Sequence, residues 1–173
     1  MRRATIHEKG EYLADAVFAA SDGIVTTFAI VAGSAGASLS ANVVLILGFA
    51  NLFADGFSMA SGNYLGVKSE IEFEKMKGQD GDKEGSPLKR GLATFVAFNL
   101  AGVVPLLPFI LRMQSSFITS TVLVGFSLFG VGFLKSIYTK KNVFKSGIEI
   151  FTVGGFAAFV AFAVGFLLDK FIV

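Results

Sequence analysis

Five long apolar stretches dominate the chain, and each is long enough to cross a lipid bilayer as one helix. A bilayer core about 30 Å thick requires about 20 mostly apolar residues per helix, and lipid offers no partners for unpaired backbone groups. The sequence therefore predicts an all-α membrane protein with a single transmembrane domain over residues 1–173. The predicted spans are Tyr12–Ala35, Ala41–Val67, Gly91–Leu111, Phe117–Tyr138 and Gly147–Phe171.

The composition agrees with residence in a membrane and excludes several classes of function. With 53% hydrophobic and 16% charged residues, the chain is too apolar for a soluble domain of its length. It contains no Cys, which excludes disulfides and thiolate metal sites. Its basic residues lie near helix ends rather than in a patch with interleaved aromatic residues, so no nucleic-acid partner is expected. Motifs for nucleotide binding, zinc proteolysis or a nucleophilic serine do not occur, and we do not expect an enzyme.

The distribution of basic residues predicts the orientation of the spans. Five spans place the termini on opposite sides of the membrane, and of the 15 basic residues only Arg112 and Lys170 fall on the far side from the N-terminus. Because Lys and Arg are enriched in cytoplasmic connections, the N-terminus is predicted in the cytoplasm and the C-terminus outside. The connection 68–90 is then cytoplasmic. Its first part, Ser69–Lys77, is predicted to continue the second helix up to Gly78.

Two acidic residues, Asp22 and Asp55, lie inside the first two predicted spans. They are equally far along the chain from the predicted turn between Ser38 and Leu39, so antiparallel helices place them at the same depth. An Asp near the centre of a span costs about 2.5 to 3.5 kcal/mol to insert, and no intramembrane Lys, Arg or His is available as a partner. This cost favours a functional role, most simply the binding of a cation. Without a metal, the two acids are expected to share protons as a coupled pair.

An acidic stripe leads from the cytoplasmic end of the first span towards this pair. Glu11, Asp15 and Asp22 are separated by four and seven residues, which places all three on one face of a helix. Glu11 and Asp15, the outer two of these acids, either form the metal entrance or are only solvated charges at the helix end. A second acidic cluster in the connection either concentrates cations at the cytoplasmic mouth or forms a solvated, salt-bridged helix end. Its candidate metal-entry residues are Glu70, Glu72 and Glu74.

The second span carries a matching stripe, because Asn51, Asp55 and Met59 recur every four residues. In the predicted hairpin Asn51 lies level with Thr26 or Thr27. Oxygen ligands suit Mg²⁺, Ca²⁺ or Mn²⁺, whereas a thioether shifts the preference towards softer ions such as Fe²⁺. Helix packing is the alternative role for the Met and Asn side chains. The predicted metal-binding residues are Asp22, Asp55, Met59, Asn51, Asp15 and Glu11.

Small residues and prolines predict how the helices pack. The second span carries Gly56, Ala60 and the pair Gly62 and Gly66 at four-residue spacing, which favours close contact with another helix. The third span contains Pro105 and Pro108, which are expected to kink or break the helix near its outer end.

Several motifs of the chain resemble the vacuolar iron transporter family, whose members include nodulin-like and manganese-handling proteins. The resemblance implies a homodimer in which the first spans line a path for Fe²⁺ or Mn²⁺ out of the cytosol, driven by proton antiport. By position, the acids of the family's first span correspond to Glu11, Asp15 and Asp22, and the methionine of its second span corresponds to Met59. The segments that carry the resemblance are Ala14–Asp15, Ser21–Phe28, Val31–Gly33, Phe57–Leu65, Lys68–Glu70, Ser86–Pro87 and Pro105–Phe109.

The chain departs from the family pattern in two places. The family often has Glu where this chain has Asn51, and a small residue where it has Asp55, so the acid has moved one turn towards the cytoplasm. The metal site is then shifted or its selectivity altered. Larger members insert a Glu-rich metal-binding domain between the second and third spans, whereas this chain has only about twenty residues in that connection. The short form is expected of a prokaryotic relative in the plasma membrane, or of a vacuolar-type membrane in a eukaryote.

The sequence thus predicts a transporter that exports Fe²⁺ or Mn²⁺ from the cytosol, with protons as counter-ions and no resident cofactor. Its expected partners are the lipid bilayer, divalent metal ions and a second copy of the chain. The alternative is a non-transporting membrane protein whose polar seam holds helices or a dimer together. A third possibility is a proton-coupled carrier for another cation.

Overall fold

The computed structural model describes residues 2–78, 85–140 and 142–171, and every regular element in these ranges is helical. The helices are α1 (Arg2–Gly36), α2 (Ala41–Met76), α3 (Pro87–Gly102), α4 (Leu107–Ile110), α5 (Ser116–Thr139) and α6 (Val143–Phe171), with a 3₁₀ turn at Val104–Leu106. Five stretches are long and apolar enough to cross a membrane, which confirms the predicted all-α membrane fold. They are Gly10–Gly36, Ala41–Met76, Pro87–Ile110, Ser116–Ile137 and Phe144–Phe171.

The first two helices form the predicted hairpin, and its turn lies where the small residues predicted it. Ser38 adopts a left-handed conformation with φ of 53° between the end of α1 and the start of α2. At its other end α2 continues to Met76, and Gly78 follows with φ of 70°. The predicted helical extension of the second span is therefore confirmed. Asp80, Asp82 and Glu84, the remaining acids of the connection, lie outside the described residues.

The first helix forms the centre of the bundle, since α1 packs against α2, α3, α5 and α6. Its buried side chains include Ile24, Phe28 and Val31, which join Phe98 of α3 and Leu128 of α5 in one apolar core. The helices α2 and α3 pack together, as do α5 and α6, so α1 contacts both pairs. The three acids of the α1 stripe, Glu11, Asp15 and Asp22, are partly buried.

Glycines bring α1 close to two of its neighbours. A Cβ atom added at Gly23 would collide with the backbone carbonyl oxygen of Phe98 in α3, and one at Gly165 of α6 would collide with that of Gly33. Backbone atoms cannot move aside as the end of a side chain can. Small residues are thus required at these contacts, as is common between helices in membranes.

The third span is interrupted near its outer end, as its prolines predicted. The helix α3 ends at Gly102, and the 3₁₀ turn and the short α4 complete the crossing. The Ser120 hydroxyl donates a hydrogen bond to the Pro105 carbonyl at 2.7 Å, and the Ser116 hydroxyl donates one to the Pro108 carbonyl at 3.1 Å. The Ser120 hydroxyl of α5 thereby gives the Pro105 carbonyl a partner beside the broken helix, while the Pro108 carbonyl also accepts from the Met113 backbone N–H at 2.9 Å.

The small residues of α2 divide into two groups. Gly56 lies against Asn99 and Phe98, and Gly91 of α3 lies against the Ala60 carbonyl, so close packing is confirmed at these positions. At Gly62 and Gly66, in contrast, a Cβ atom would have no described atom of another helix within 4 Å. At these two glycines the backbone of α2 is therefore not in close contact with another described helix.

Candidate metal pathway

The carboxyl groups of Asp22 and Asp55 interact electrostatically across the α1–α2 hairpin. Both residues are partly buried, and no ion pair with Lys, Arg or His is found for either within the described ranges. Two like charges in a poorly solvated place are unfavourable unless a proton or a cation lies between them. The two acids that were predicted to lie at one depth are thus near enough for their charges to interact, and no salt bridge in the described ranges balances them.

Two buried polar atoms lie on the outer side of this pair. The Thr27 hydroxyl oxygen and the Asn51 amide nitrogen are buried and have no hydrogen-bond partner in the described structure. Unpaired buried polar atoms are rare in proteins and commonly mark the position of a bound water or ion. Thr27 and Asn51 are also the residues that the hairpin predicted to be level. They provide polar groups between the acidic pair and the outer half of the bundle.

A cavity of about 290 Å³ lies beside Asp15, towards the N-terminal end of α1 from the acidic pair. Asp15 and Met59, both predicted as metal-binding residues, line it together with Asn63 and Thr94, and the Asn63 amide donates a hydrogen bond to the Thr94 hydroxyl at 2.7 Å. Carboxylate, thioether, amide and hydroxyl groups thus surround one space. The sequence analysis missed Asn63, although it continues the four-residue spacing of Asn51, Asp55 and Met59. Thr94 left no comparable signal.

Glu11 and Asp15, the predicted entrance acids of α1, both pair with Arg90. The sequence placed Arg90 in the connection 68–90, whereas the structure places it in α3. Arg90 lies in the first turn of α3 and is only 8% exposed. Its Nε atom donates to Asp15 Oδ2 at 2.8 Å, and its Nη1 atom donates to Glu11 Oε2 at 2.9 Å. Cations are disfavoured near a helix N-terminus by the helix dipole. The position of Arg90, three residues after Pro87 at the start of α3, therefore indicates that nearby acids offset its charge.

The acids on the extension of α2 remain apart from these groups. Glu70 and Glu72 are exposed, Glu74 is partly exposed, and Glu72 lies 3.9 Å from Lys68 in a surface ion pair. In the part of the chain that the structure describes, no three His, Cys, Asp or Glu side chains form a group that could hold a metal. A complete set of acidic ligands is therefore not present in one described chain.

These features define a polytopic membrane protein with an acidic, partly buried pathway beside a central helix. Comparison with known proteins gives the family: the chain matches the model of the VIT family over residues 13–84 and 75–166 and belongs to that family. The two matched stretches overlap at residues 75–84, from the end of α2 into the α2–α3 connection, which is short in this chain. VIT family members are transporters rather than enzymes.

Named relatives cover most of the chain. It is 32% identical to vacuolar iron transporter homolog 1 of Arabidopsis thaliana, with 95% of this chain and 85% of the relative aligned. It is 29% identical to a vacuolar iron transporter of Toxoplasma gondii, with 92% of this chain and 75% of the relative aligned. That second alignment runs over 226 positions, more than the 173 residues of this chain, so the relative carries inserted residues.

Proposed function

We propose that this protein moves a divalent transition metal, Fe²⁺ or Mn²⁺, out of the cytosol in exchange for protons. The observation that carries the proposal is the Asp22–Asp55 pair, which is partly buried and has no basic partner in the described ranges. A pair of carboxyl groups without a counter-ion binds either a proton or a metal, and the arrival of one favours release of the other. The names of the relatives support a metal as cargo.

The cytoplasmic end of the path is the entrance formed by Glu11, Asp15 and the cavity beside Met59. A metal ion passing from Asp15 to Asp22 advances seven residues along α1, which is about 10 Å. Beyond the acidic pair, Thr27 and Asn51 offer unpaired polar atoms along the path to the outer side. The predicted orientation, with the basic helix ends in the cytoplasm, makes this an export path.

A second copy of the chain completes the site in this proposal. One described chain does not assemble three acidic ligands at one point. Gly62 and Gly66 of α2 have no close neighbour among the described residues, and small residues at four-residue spacing allow two helices to approach closely. A homodimer through this face brings two cavities together. In a prokaryote the expected location is the plasma membrane, and in a eukaryote a vacuolar-type membrane.

The proposal is tested by reconstituting the purified protein in vesicles with a trapped pH dye and adding Fe²⁺ or Mn²⁺ outside. We expect metal uptake accompanied by proton movement in the opposite direction, with both rates rising when a pH gradient is imposed. Mg²⁺ and Ca²⁺ serve as competitors that distinguish a transition-metal carrier from a general cation carrier. Folded protein that moves neither metal nor protons would refute transport and favour a polar seam that only joins helices.

The Met59 side chain tests whether a soft ligand contributes to selectivity. Met59→Leu keeps nearly the same volume, so the packing of Met59 on the apolar core should survive at a cost below about 1.5 kcal/mol. We expect Fe²⁺ transport to fall several-fold more than Mn²⁺ transport, because the thioether favours the softer ion. Competition of the two metals in vesicles measures the ratio. Met76→Leu, at the exposed end of α2, is the control, and an unchanged ratio in Met59→Leu assigns Met59 to packing alone.

A further inference from the structure

Arg90 is a buried cation built into the entrance of the pathway. Its guanidinium group lies between two acids one turn apart on α1, bonded to Asp15 at 2.8 Å and to Glu11 at 2.9 Å. The side chain of Arg90 is 10% exposed, and those of Glu11 and Asp15 are 20% and 19% exposed. The planar fork of an arginine suits such a double contact, and a lysine would offer a single point of charge.

The charges in this cluster differ from those of the central pair. The guanidinium of Arg90 offsets one of the two acidic charges of Glu11 and Asp15, whereas Asp22 and Asp55 have no such partner among the described residues. Asp15 belongs to both environments, because it accepts the hydrogen bond from Arg90 and also lines the cavity with Met59, Asn63 and Thr94. The charge of Arg90 therefore acts on any cation in that cavity.

We propose that Arg90 is a positioning residue that lowers the cation affinity of the entrance by serving as a fixed counter-ion for Glu11 and Asp15. The inference rests on the proposed transport function. A conducting path must bind an ion well enough to admit it and weakly enough to release it. With Arg90 in place the entrance holds a divalent ion briefly, and the ion passes on to the central pair, where no fixed cation opposes it.

Fastening α1 to α3 does not account for the ion pairs. The two helices already meet through backbone contacts at Gly23 and Phe98, and a Cβ added at Gly102 would lie 2.8 Å from the Gly23 carbonyl oxygen. A buried ion pair contributes little net stability, since the loss of hydration offsets much of the attraction between its charges. An apolar residue at position 90 would leave Glu11 and Asp15, both partly buried, without this counter-ion. The charge of Arg90 is therefore the property that needs a role.

The test measures equilibrium Mn²⁺ binding and Mn²⁺ transport by the full-length protein in nanodiscs and vesicles. Arg90→Gln removes one positive charge from the entrance, and Mn²⁺ should bind about tenfold more tightly or better, because one unit charge acts over a few ångströms. The KM for transport should fall and the maximal rate should fall with it, since the ion leaves the entrance slowly. Arg90→Lys retains the charge and should bind Mn²⁺ less tightly than Arg90→Gln does.

Charge restoration separates this role from a structural one. Glu11→Gln alone removes one negative charge and should weaken Mn²⁺ binding, while the double variant Glu11→Gln with Arg90→Gln restores the net charge of the unmodified entrance and should recover the binding. This comparison remains valid if Arg90→Gln alone does not fold. A double variant that binds no better than Glu11→Gln, or an Arg90→Gln protein with lower thermal stability but unchanged KM and Mn²⁺ affinity, overturns the inference.

The outcome for the unmodified protein distinguishes the two proposals. If it neither binds nor moves Mn²⁺ or Fe²⁺, the proposed function fails and this inference fails with it. If it transports metal while all variants at position 90 keep its KM, only the role of Arg90 is refuted.

Discussion

Replacing Asp22 with Asn is expected to reduce Fe²⁺ and Mn²⁺ flux to the level of protein-free vesicles and to abolish the opposing proton flux. The amide cannot exchange a proton for a metal ion, and it leaves Asp55 without the second carboxylate. The folded protein should remain as stable as before or become more stable, because a neutral side chain is less costly to bury than a charged one. Vesicle flux and thermal unfolding in detergent are measured on the same preparation.

Asp55→Asn should produce the same loss, since the two acids act on one another. Asp169→Asn, at an exposed position near the end of α6, provides the matched control for the same chemical change and should transport normally. Full transport by both Asp22→Asn and Asp55→Asn would contradict a metal site at this pair. Loss of folding in both would instead indicate that the acids hold the helices together through a shared proton.

Gly23→Ala is expected to destabilise the protein by at least about 3 kcal/mol, at or beyond the upper end of the usual range for overpacking. A Cβ at this position would overlap the Phe98 carbonyl, and two helix backbones would have to separate to accommodate it. The thermal unfolding temperature in detergent should fall sharply. Transport should fall as well, because the separation displaces the neighbouring Asp22.

Gly155→Ala is the matched control for this substitution. No atom lies within 4 Å of a Cβ built at Gly155 on α6, leaving aside its chain neighbours and own helix backbone, so the added methyl group has space. Alanine also favours the helix over glycine by up to about 1 kcal/mol, which predicts unchanged or slightly higher stability. If Gly23→Ala unfolded at the same temperature as Gly155→Ala, the close approach of α1 and α3 at this point would be wrong.

These two expectations give a physical reason for an Asp followed by Gly in the first span. Gly23 allows the backbone of α1 to touch that of α3, and this contact fixes the rotation of α1 within the bundle. The preceding residue, Asp22, is thereby held where its charge interacts with that of Asp55 on α2. Asp22 thus belongs to the site itself, and Gly23 positions Asp22 through the contact with α3.

The sequence by itself determined the five spans, the hairpin turn, the break in the third span and the pairing of Asp22 with Asp55. Each depends on a local or nearly local rule. Lipid forces long apolar segments into helices, proline removes a backbone donor, and the length of a short hairpin places residues of its two arms at equal depth. The predicted metal-binding residues on α1 and α2 follow from the same periodicity, and their roles in binding remain predictions.

Only the tertiary structure revealed the ion pairs of Arg90, the hydrogen bond between Asn63 and Thr94, and which glycines of α2 face α3. Arg90 is 75 residues from Asp15 in the chain, and no pattern within one helix specifies which helix lies beside it. The contact depends on how α3 rotates and tilts against α1, which close packing at Gly23 and Gly102 determines. Side-chain partners between helices are therefore set by packing of the whole bundle, whereas the helices themselves are set by their local sequence and the membrane.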